Sequence, residues 1–474
     1  GGAILKTRVS SILSRPAVTA PPAATIREAA SIMTDSKVSS LLIVEDRDVV
    51  GIVTDRDLRS RALAVGMDPG HPVKSIMTKN PVTASADALA FEVLMEMLAR
   101  NIHHLPVVRD GEPAGVVTTT DLTRLEQANP VFLVGDIVKQ KDVAGVAAVT
   151  QRLASVVETL VSQDASADDI GRVVTAVGDA VERRLIGLAE EKLGPPPVPF
   201  CWVSLGSRAR QEQALAADQD NAMILSDDAT PDHAAYFEAL AAEVTTSLVE
   251  CGYPLCPGDI MASNPRWRVP LAQWRREFST WITQPVPDAI LRASIFFDMR
   301  PIYGEVKLFR DLQRHVLSLT PESRLFLAHL AKRAGENEPP IGFFRGFVLQ
   351  KAGDHKDTLD IKRGGIGSVV EMARVLALSI GSREVNTRAR ITAAVAAGAM
   401  SAERGEDLMD ALEFIAYVRL RHQAAKVRTG QEPNNFVSPG DLSTFERRNL
   451  REAFSIVRSA QTSLAQRYPS SYIS

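Results

Sequence analysis

Two aspartates and a glycine-serine pair in the middle of the chain have the spacing of a phosphate-transfer site. Gly206-Ser207 follows the apolar run 200–205, and Asp218 and Asp220 precede the apolar run 222–225. The glycine permits close backbone approach, and the serine hydroxyl with the free N–H groups of a helix start can bind phosphate oxygens. If the aspartates lie on a strand, both carboxylates point to one face, because side chains alternate with period two. Two such oxygen donors suit Mg²⁺.

A third carboxylate could come from a later segment of the chain. Asp298 is the candidate, because the apolar run 295–297 leads directly into it. Two metal ions, Mg²⁺ or Mn²⁺, about 3.5–4 Å apart could then clamp the entering and leaving oxygens of an in-line displacement. Arg210, just after the glycine-serine pair, is expected to bind the phosphates of a nucleoside triphosphate (NTP). An isolated Asp-x-Asp can also be a solvated turn, but the context here favours a metal site.

The first 126 residues contain an internal repeat with an offset of 64 positions. The segment from Gly51 to Thr54 falls on the segment from Gly115 to Thr118, and Asp57 falls on Asp121. Each copy is predicted to fold as helix, strand, strand, helix. The predicted elements are 26–35, 40–45, 49–53 and 55–63, then 90–100, 104–109, 114–118 and 119–126.

Each copy places a hydroxyl at a helix start and an acid one turn later. The free N–H groups of the helix start favour phosphate, and the acid can accept hydrogen bonds from ribose hydroxyls. Alternatively, Thr54 and Thr118 are only N-caps, and Asp57 and Asp121 only favour the helix dipole.

This duplicated segment resembles a tandem pair of CBS domains. The family's motif of glycine, two apolar residues, a hydroxyl residue and an aspartate three residues later occurs in both copies. The resemblance implies that Thr54, Asp57, Thr118 and Asp121 bind an adenosine nucleotide, AMP, ADP or ATP. Because CBS pairs typically self-associate, it also implies a homodimer.

The segment that begins at Gly206 resembles the nucleotidyltransferase fold of DNA polymerase β. More narrowly, it is similar to the DUF294-type nucleotidyltransferases that bacterial proteins carry behind a CBS pair, and the similarity continues through 252–265 and 311–474. The resemblance implies Mg²⁺-dependent transfer of a nucleoside monophosphate from an NTP to an acceptor, with release of pyrophosphate. These proteins are related to the uridylyltransferase of the PII nitrogen-signalling protein, so a PII-like protein is the implied acceptor. They often carry an upstream cyclic-nucleotide-binding domain, and a first residue other than Met agrees with a truncated start.

Helical periodicity dominates the last third of the chain. The stretch from Lys362 to Gly365 resembles one in PII uridylyltransferases, which implies that Lys362 and Arg363 are cations on the phosphate side of the NTP. The alternative is an ordinary helix start with surface charge. A polar cluster from Arg419 to Gln423 either faces the cleft or forms a network between helices. The predicted helices are 305–318, 321–334, 366–381, 386–397, 401–428 and 441–468.

Composition describes an ordinary multidomain protein. Lys and Arg total 54 against 57 Asp and Glu, a net charge of −3, which weighs against a nucleic-acid-acting transferase. No uninterrupted apolar run reaches about 18 residues, so no membrane helix is expected. Three cysteines favour a reduced, cytoplasmic protein.

An α+β multidomain fold is therefore predicted, with four parts. They are a tandem CBS pair over 1–126, a helical connector over 127–196, a polymerase β-like nucleotidyltransferase domain over 197–305 and a C-terminal helical domain over 306–474. The predicted function is that of a signal-transducing, CBS-regulated nucleotidyltransferase. The alternative is a non-catalytic scaffold that senses adenosine nucleotides, and the set of Asp218, Asp220 and Asp298 favours the enzyme.

Overall fold

The computed structural model describes residues 7–13, 15–123, 130–215, 217–342, 346–469 and 473. The chain divides into two compact units, Gly1–Phe132 and Leu133–Ser474. The second unit contains most of the predicted connector together with the two predicted domains that follow it. The predicted end of the repeat at 124–126 and the start of the connector at 127–129 lie outside the described residues.

The first unit contains the same αβ motif twice. In each copy a short strand pairs in parallel with a longer one, which pairs antiparallel with the next. Ser40 pairs with Thr54 in the first copy and His104 with Thr118 in the second, so the offset of 64 is kept in the register. The strands are β1 (Thr19–Ala20), β2 (Ser40–Glu45), β3 (Asp48–Thr54), β4 (Thr78–Lys79), β5 (Ala84–Ser85), β6 (His104–Arg109) and β7 (Glu112–Thr118).

The helices of the first unit confirm the predicted order of elements. Thr25 and Glu28 form a capping box at the first of them, as the S/T-x-x-E spacing predicts. The helices are α1 (Ile26–Asp35), α2 (Asp55–Asp57, continued by a π-helical segment over Leu58–Leu63), α3 (Ala90–Arg100) and α4 (Thr119–Thr123).

The second unit is built on a four-stranded sheet with the order β10-β9-β8-β11. Strand β8 (Phe200–Leu205) is buried along its whole length, because its two faces contact two different apolar cores. Trp202 lies in one core and Val203 in the other, as alternation along a strand requires. The other strands are β9 (Asn221–Leu225) and β11 (Met299–Gly304), both antiparallel to β8, and β10 (Arg268–Pro270), parallel to β9.

Two predicted strand placements are wrong by a few residues. Asp218 and Asp220 lie in the loop before β9, which begins at Asn221. The apolar run before Asp298 forms a 3-10 helix over Ser294–Phe297 instead of a strand. Asp298 therefore lies at the junction between that helix and β11.

Helices cover the sheet and form the rest of the second unit. The six predicted C-terminal helices are confirmed, with ends shifted by no more than three residues. A two-stranded sheet of β12 (Leu359–Asp360) and β13 (Phe436–Val437) joins two of the intervening loops. The helices are α5 (Pro130–Lys139), α6 (Val143–Thr150), α7 (Leu153–Ser162), α8 (Ala167–Leu193), α9 (Gly206–Ala209), α10 (Ala234–Glu250), α11 (Leu271–Thr283), α12 (Pro287–Ala293), α13 (Val306–Leu319), α14 (Arg324–Glu336), α15 (Gly367–Ser379), α16 (Thr387–Ala396), α17 (Ala402–Arg428) and α18 (Thr444–Arg467).

One segment, Val143–Ser162, is long and apolar enough by composition to cross a membrane. This differs from the expectation drawn from uninterrupted apolar runs, because Arg152 and Glu158 break the run without making the segment polar on average. In the structure the segment is divided between α6 and α7, and its Val157 and Leu160 are buried in the apolar core around α8.

Candidate active site

A cleft of about 1250 Å³ in the second unit brings together residues from the sheet and from the C-terminal helices. Most of the predicted transferase site lies on its walls, although the sequence separates the first and last of these residues widely. The predicted residues that line it are Gly206, Ser207, Arg210, Asp218, Asp220 and Lys362. Asp298 and Arg363 are not among its lining residues.

Gly206 begins the helical turn α9 directly after β8. Its φ is +65°, a left-handed conformation that glycine adopts at little cost. A Cβ at this position would lie 3.4 Å from Asp220 Oδ2 and 3.2 Å from Ile295 Cδ1. The glycine therefore lets the carboxylate of Asp220 lie directly against the start of the turn, next to the cleft-lining Ser207.

The side chains of Asp218 and Asp220 both face the cleft, although the two residues lie in a loop. Between them, Gln219 is buried and its Nε2 donates to the carbonyl oxygens of Thr245 (2.9 Å) and Tyr253 (3.3 Å). Asp218 and Asp220 both line the cleft. The alternation predicted for a strand thus holds, because the buried amide fixes the residue between the two acids.

The electrostatics of Asp220 suit a cation. Loss of solvation raises its pKa, a hydrogen bond from the Cys256 thiol lowers it, and the negative charge of Asp218 raises it. Each of the two raising effects would be relieved by a positive ion between the carboxylates.

The donor set fits one metal ion and does not fit two. Among the described residues, no group of three or more acidic, histidine or cysteine side chains could hold a metal. Mg²⁺ is commonly bound through one or two carboxylates, with water and substrate phosphates completing its octahedron. Asp218 and Asp220 match that pattern, whereas the predicted three-carboxylate, two-metal arrangement is not formed.

Asp298 is instead the centre of a buried ion cluster. Its carboxylate is fully buried and accepts hydrogen bonds from Arg374 (3.0 and 2.6 Å), Arg390 (2.6 Å) and Arg210 (2.7 Å). Burial acts to raise the pKa of Asp298, but the three guanidinium groups hold it well below its usual range. This corrects the prediction that Asp298 is a metal ligand, because its oxygens are already paired.

Two of the predicted phosphate-binding cations are also engaged elsewhere. Arg210 lines the cleft, but its Nη1 bonds to Asp298 and its Nε lies 3.5 Å from Glu212. Arg363 lies outside the cleft, and its Nε donates to Asn337 Oδ1 at 3.2 Å. The surface-charge alternative therefore describes Arg363, while Lys362 stays on the cleft wall.

The polar cluster on α17 divides between two places. Arg419 and Gln423, one helical turn apart, line the cleft. Arg421 pairs with Glu446, and His422 Nε2 lies 2.8 Å from Asn434 Oδ1, outside the cleft. The spacing of four residues between Arg419 and Gln423 is the signal that separates the cleft-facing pair from the rest. Sequence reasoning missed the other polar lining residues, which are Glu212, Ser294, Arg333, Glu371, Arg374 and Asn435.

In the first unit, a cleft of about 880 Å³ lies beside the second repeat motif, lined by Thr118, Asp121, Arg15 and Lys37 among others. The Thr118 N–H donates to Asp121 Oδ2 (2.9 Å), and the Asp121 N–H donates to Thr118 Oγ1 (3.2 Å).

The first repeat motif repeats this reciprocal cap. The Thr54 N–H donates to Asp57 Oδ2 (2.9 Å), and the Asp57 N–H donates to Thr54 Oγ1 (3.4 Å). The capping alternative is thus correct for the hydrogen bonds of both motifs. It does not exclude a ligand, because Thr118 and Asp121 still line the cleft with two cations.

Comparison with protein families assigns most of the chain. The description "Putative nucleotidyltransferase DUF294" matches residues 151–288, and "Putative nucleotidyltransferase substrate binding domain" matches residues 324–468. The CBS domain matches residues 9–64 and 73–127. The cleft is lined by residues from both of the first two matched segments, 151–288 and 324–468.

Individual relatives match the repeat alone. The CBS domain-containing protein CBSCBSPB2 of Arabidopsis thaliana is 36% identical over 110 residues, 23% of this chain and 20% of that protein. The uncharacterized protein YlbB of Bacillus subtilis is 36% identical over 106 residues, 22% of this chain and 72% of that protein. The chain therefore spans about a fifth of the length of the first of these relatives.

A solved structure gives a similar match. A CBS domain protein from Pyrobaculum aerophilum, complexed with AMP, is 32% identical, with 24% of this chain and 89% of that chain covered and a TM-score of 0.23.

The ion cluster predicts a large cost for Asp298→Asn. The substitution leaves three buried guanidinium groups without their anion, so we expect a loss of about 3–5 kcal/mol in the free energy of unfolding. Urea unfolding followed by tryptophan fluorescence measures it, since all four tryptophans lie in the second unit. Asp311→Asn is the control: Asp311 forms a 3.7 Å pair with the exposed Arg314, worth at most about 1 kcal/mol.

The same cluster fixes the pH dependence. Because folding lowers the pKa of Asp298, its stabilisation is complete above the unfolded carboxyl pKa of about 4 and is lost as pH falls below it. The stability difference between wild type and Asp298→Asn should therefore shrink below about pH 4. A difference of equal size at pH 7 and pH 3 would contradict the cluster.

Proposed function

The chain belongs to the CBS-domain proteins that carry a DUF294 nucleotidyltransferase domain and its substrate-binding domain, and we propose that it transfers a nucleoside monophosphate from an NTP to an acceptor. The observation that carries the proposal is the meeting of Gly206-Ser207 with Asp218 and Asp220 in one cleft. An adenosine nucleotide bound by the CBS pair regulates the transfer.

The residues of the cleft have different roles in binding the NTP and the metal ion. The triphosphate is bound by the Ser207 hydroxyl and by backbone N–H groups of the turn other than that of Gly206, which donates to the Asp298 carbonyl oxygen. Asp218 and Asp220 would hold one Mg²⁺, and that ion would supply positive charge to neutralise the phosphate oxygens. The oxygen of an acceptor hydroxyl bonds to the α-phosphorus as the bond from the α-phosphorus to pyrophosphate breaks, and the hydroxyl proton leaves to water in the cleft. Asp298 takes no part as a base, because three arginines already occupy its carboxylate.

The finer identity of the substrates rests on the family resemblance. It supports UTP as the NTP and a PII-like protein as the acceptor. The resemblance of the repeat to CBS pairs supports a homodimer. The free state of Cys201, Cys251 and Cys256 supports work in the reducing cytoplasm.

One observation favours a second function, that of a nucleotide-sensing scaffold without catalysis. The described residues supply two carboxylates to the cleft's metal position and not three. A transferase fold that binds an NTP without turning it over would have this donor set. An assay of label transfer from an NTP distinguishes the two functions.

We expect the double variant Asp218→Asn, Asp220→Asn to lose Mg²⁺-dependent incorporation of label from an α-labelled NTP in cell extract, because both proposed metal ligands become neutral amides. Asp228→Asn, in an exposed loop outside the cleft, serves as the control. Transfer by the double variant at the wild-type rate refutes the assignment. Wild-type NTP binding without any transfer points to the scaffold.

For the CBS pair we expect Asp57→Ala and Asp121→Ala each to weaken binding of AMP, ADP or ATP by about 1.5–3 kcal/mol, the worth of a hydrogen bond to a charged group. Calorimetry on the full chain measures it, with the exposed Asp48→Ala as control. An absence of heat with all three nucleotides would remove the sensor from the proposal.

Regulation requires reciprocal coupling between the two ligands. A typical coupling of about 1–3 kcal/mol changes NTP affinity roughly 5- to 150-fold, and NTP must change the affinity for the adenosine nucleotide by the same factor. Asp220→Asn keeps turnover out of the measurement. Equal affinities with and without the other ligand, together with unchanged transfer, would exclude regulation.

A further inference from the structure

Two side chains of α17 reach the transferase cleft with buried polar atoms that lack partners. Arg419 is 8% exposed and Gln423 is 2% exposed. Arg419 Nε and Gln423 Oε1 make no hydrogen bond with any described residue. Gln423 is oriented by its amide nitrogen, which donates to Asn435 Oδ1 at 3.3 Å. The unpartnered atoms therefore belong to buried side chains on the cleft wall.

Such atoms are costly to bury. A buried donor or acceptor without a partner carries its desolvation penalty, and a buried charge carries a larger one. Burial lowers the pKa of Arg419 to about 10. Loss of solvation and then the charge of Arg419 lower the pKa of Lys362 on the same wall. Arg419 and Lys362 thus repel each other on a partly desolvated wall of the cleft.

The other cations of the cleft each have a carboxylate partner, although Arg333 Nε and Nη1 make no hydrogen bond with the described residues. Arg374 and Arg210 bind Asp298, and Arg333 Nε lies 3.4 Å from Glu371 Oε1. Within the described part of the chain, neither Arg419 nor Lys362 forms an ion pair. What remains without an ion-pair partner in the cleft is therefore an acidic pair on the sheet side and a cationic pair from the C-terminal helical segment, and the charges of Asp220 and Asp218 act on Lys362.

Glu212, the carboxylate whose charge acts on Arg419, does not serve as its ion-pair partner. Glu212 lines the cleft beside Arg419, but its carboxylate accepts hydrogen bonds from both the hydroxyl and the backbone N–H of Thr387. It also lies 3.5 Å from Arg210 Nε. Its charge is shared with these partners, and Arg419 Nε remains without an acceptor.

We propose that Arg419, Lys362 and Gln423 form a phosphate subsite on the wall of the cleft that the C-terminal helical segment supplies. Two cations match a doubly charged phosphate, and the planar guanidinium presents parallel donors to its oxygens. Gln423 Oε1 accepts a hydrogen bond from a hydroxyl or amine beside that phosphate. The subsite rests on the proposed function for its biological use, since the phosphate belongs either to the NTP or to a phosphorylated acceptor.

The test measures binding to the full chain of two probes, inorganic phosphate and an NTP analogue with a methylene bridge between the α and β phosphorus atoms. Arg419→Gln and Lys362→Gln should each weaken phosphate binding about tenfold or more. An equal loss for the NTP analogue assigns the subsite to the triphosphate. An unchanged affinity for the analogue assigns it to the acceptor. Unchanged affinity for both probes overturns the proposal.

Arg421→Gln is the matched control, because Arg421 lies two residues away on α17 and pairs with Glu446 outside the cleft. It should leave both affinities at the wild-type value. A thermal melt gives a second readout: without ligand, Arg419→Gln should not lower the midpoint, because it removes an unpaired buried charge. A lowered midpoint with unchanged binding makes Arg419 structural and overturns the subsite.

Gln423→Glu covers the case in which Arg419→Gln fails to fold. It places a carboxylate of the same shape one turn from Arg419, and an internal anion should compete with phosphate and weaken its binding by a similar factor. Undiminished phosphate binding in this variant also overturns the subsite. The subsite and the proposed function can fail independently. If the variants lose phosphate binding but the wild-type protein transfers no label, the subsite stands and the transferase is rejected. If the wild-type protein transfers label but the variants bind phosphate normally, the transferase stands and the subsite is rejected.

Discussion

The buried carboxylate of Asp298 holds the second unit together at the point where its sheet meets its C-terminal helices. Arg210 comes from the turn after β8, Arg374 from α15 and Arg390 from α16. One anion thereby fixes three segments that are up to 92 residues away from it in sequence. Because Arg210 and Arg374 also line the cleft, the shape of the site depends on this cluster.

Local patterns were enough to predict most of the architecture. The 64-residue repeat predicted two copies of one motif, and the structure gives both copies the same register, with Ser40 opposite Thr54 and His104 opposite Thr118. Helical periodicity located all six C-terminal helices. The glycine-serine pair and the two aspartates were placed together correctly because the polypeptide between them is short.

The role of Asp298 could not be predicted in the same way. A carboxylate after an apolar run has the local pattern of a metal ligand, and only the tertiary fold brings Arg374 and Arg390 to it. The positions of Arg363 and Arg419 could not be predicted for the same reason. Both are arginines on helical segments, and which of them faces the cleft is decided by packing between helices that no local pattern records.

In the loop before β9, the buried amide of Gln219 holds the backbone in place, and the neighbouring Asp218 and Asp220 face the cleft. Its contacts with Thr245 and Tyr253 hold the loop, while the acidic side chains on either side of it add one hydrogen bond to the fold, between the Cys256 thiol and Asp220. During divergence within a lineage, Asp218 and Asp220 are therefore free to change while the architecture survives. Descendants of such a chain would drift from catalyst to pure binding protein by substitution at two positions, with little selection from folding to oppose them.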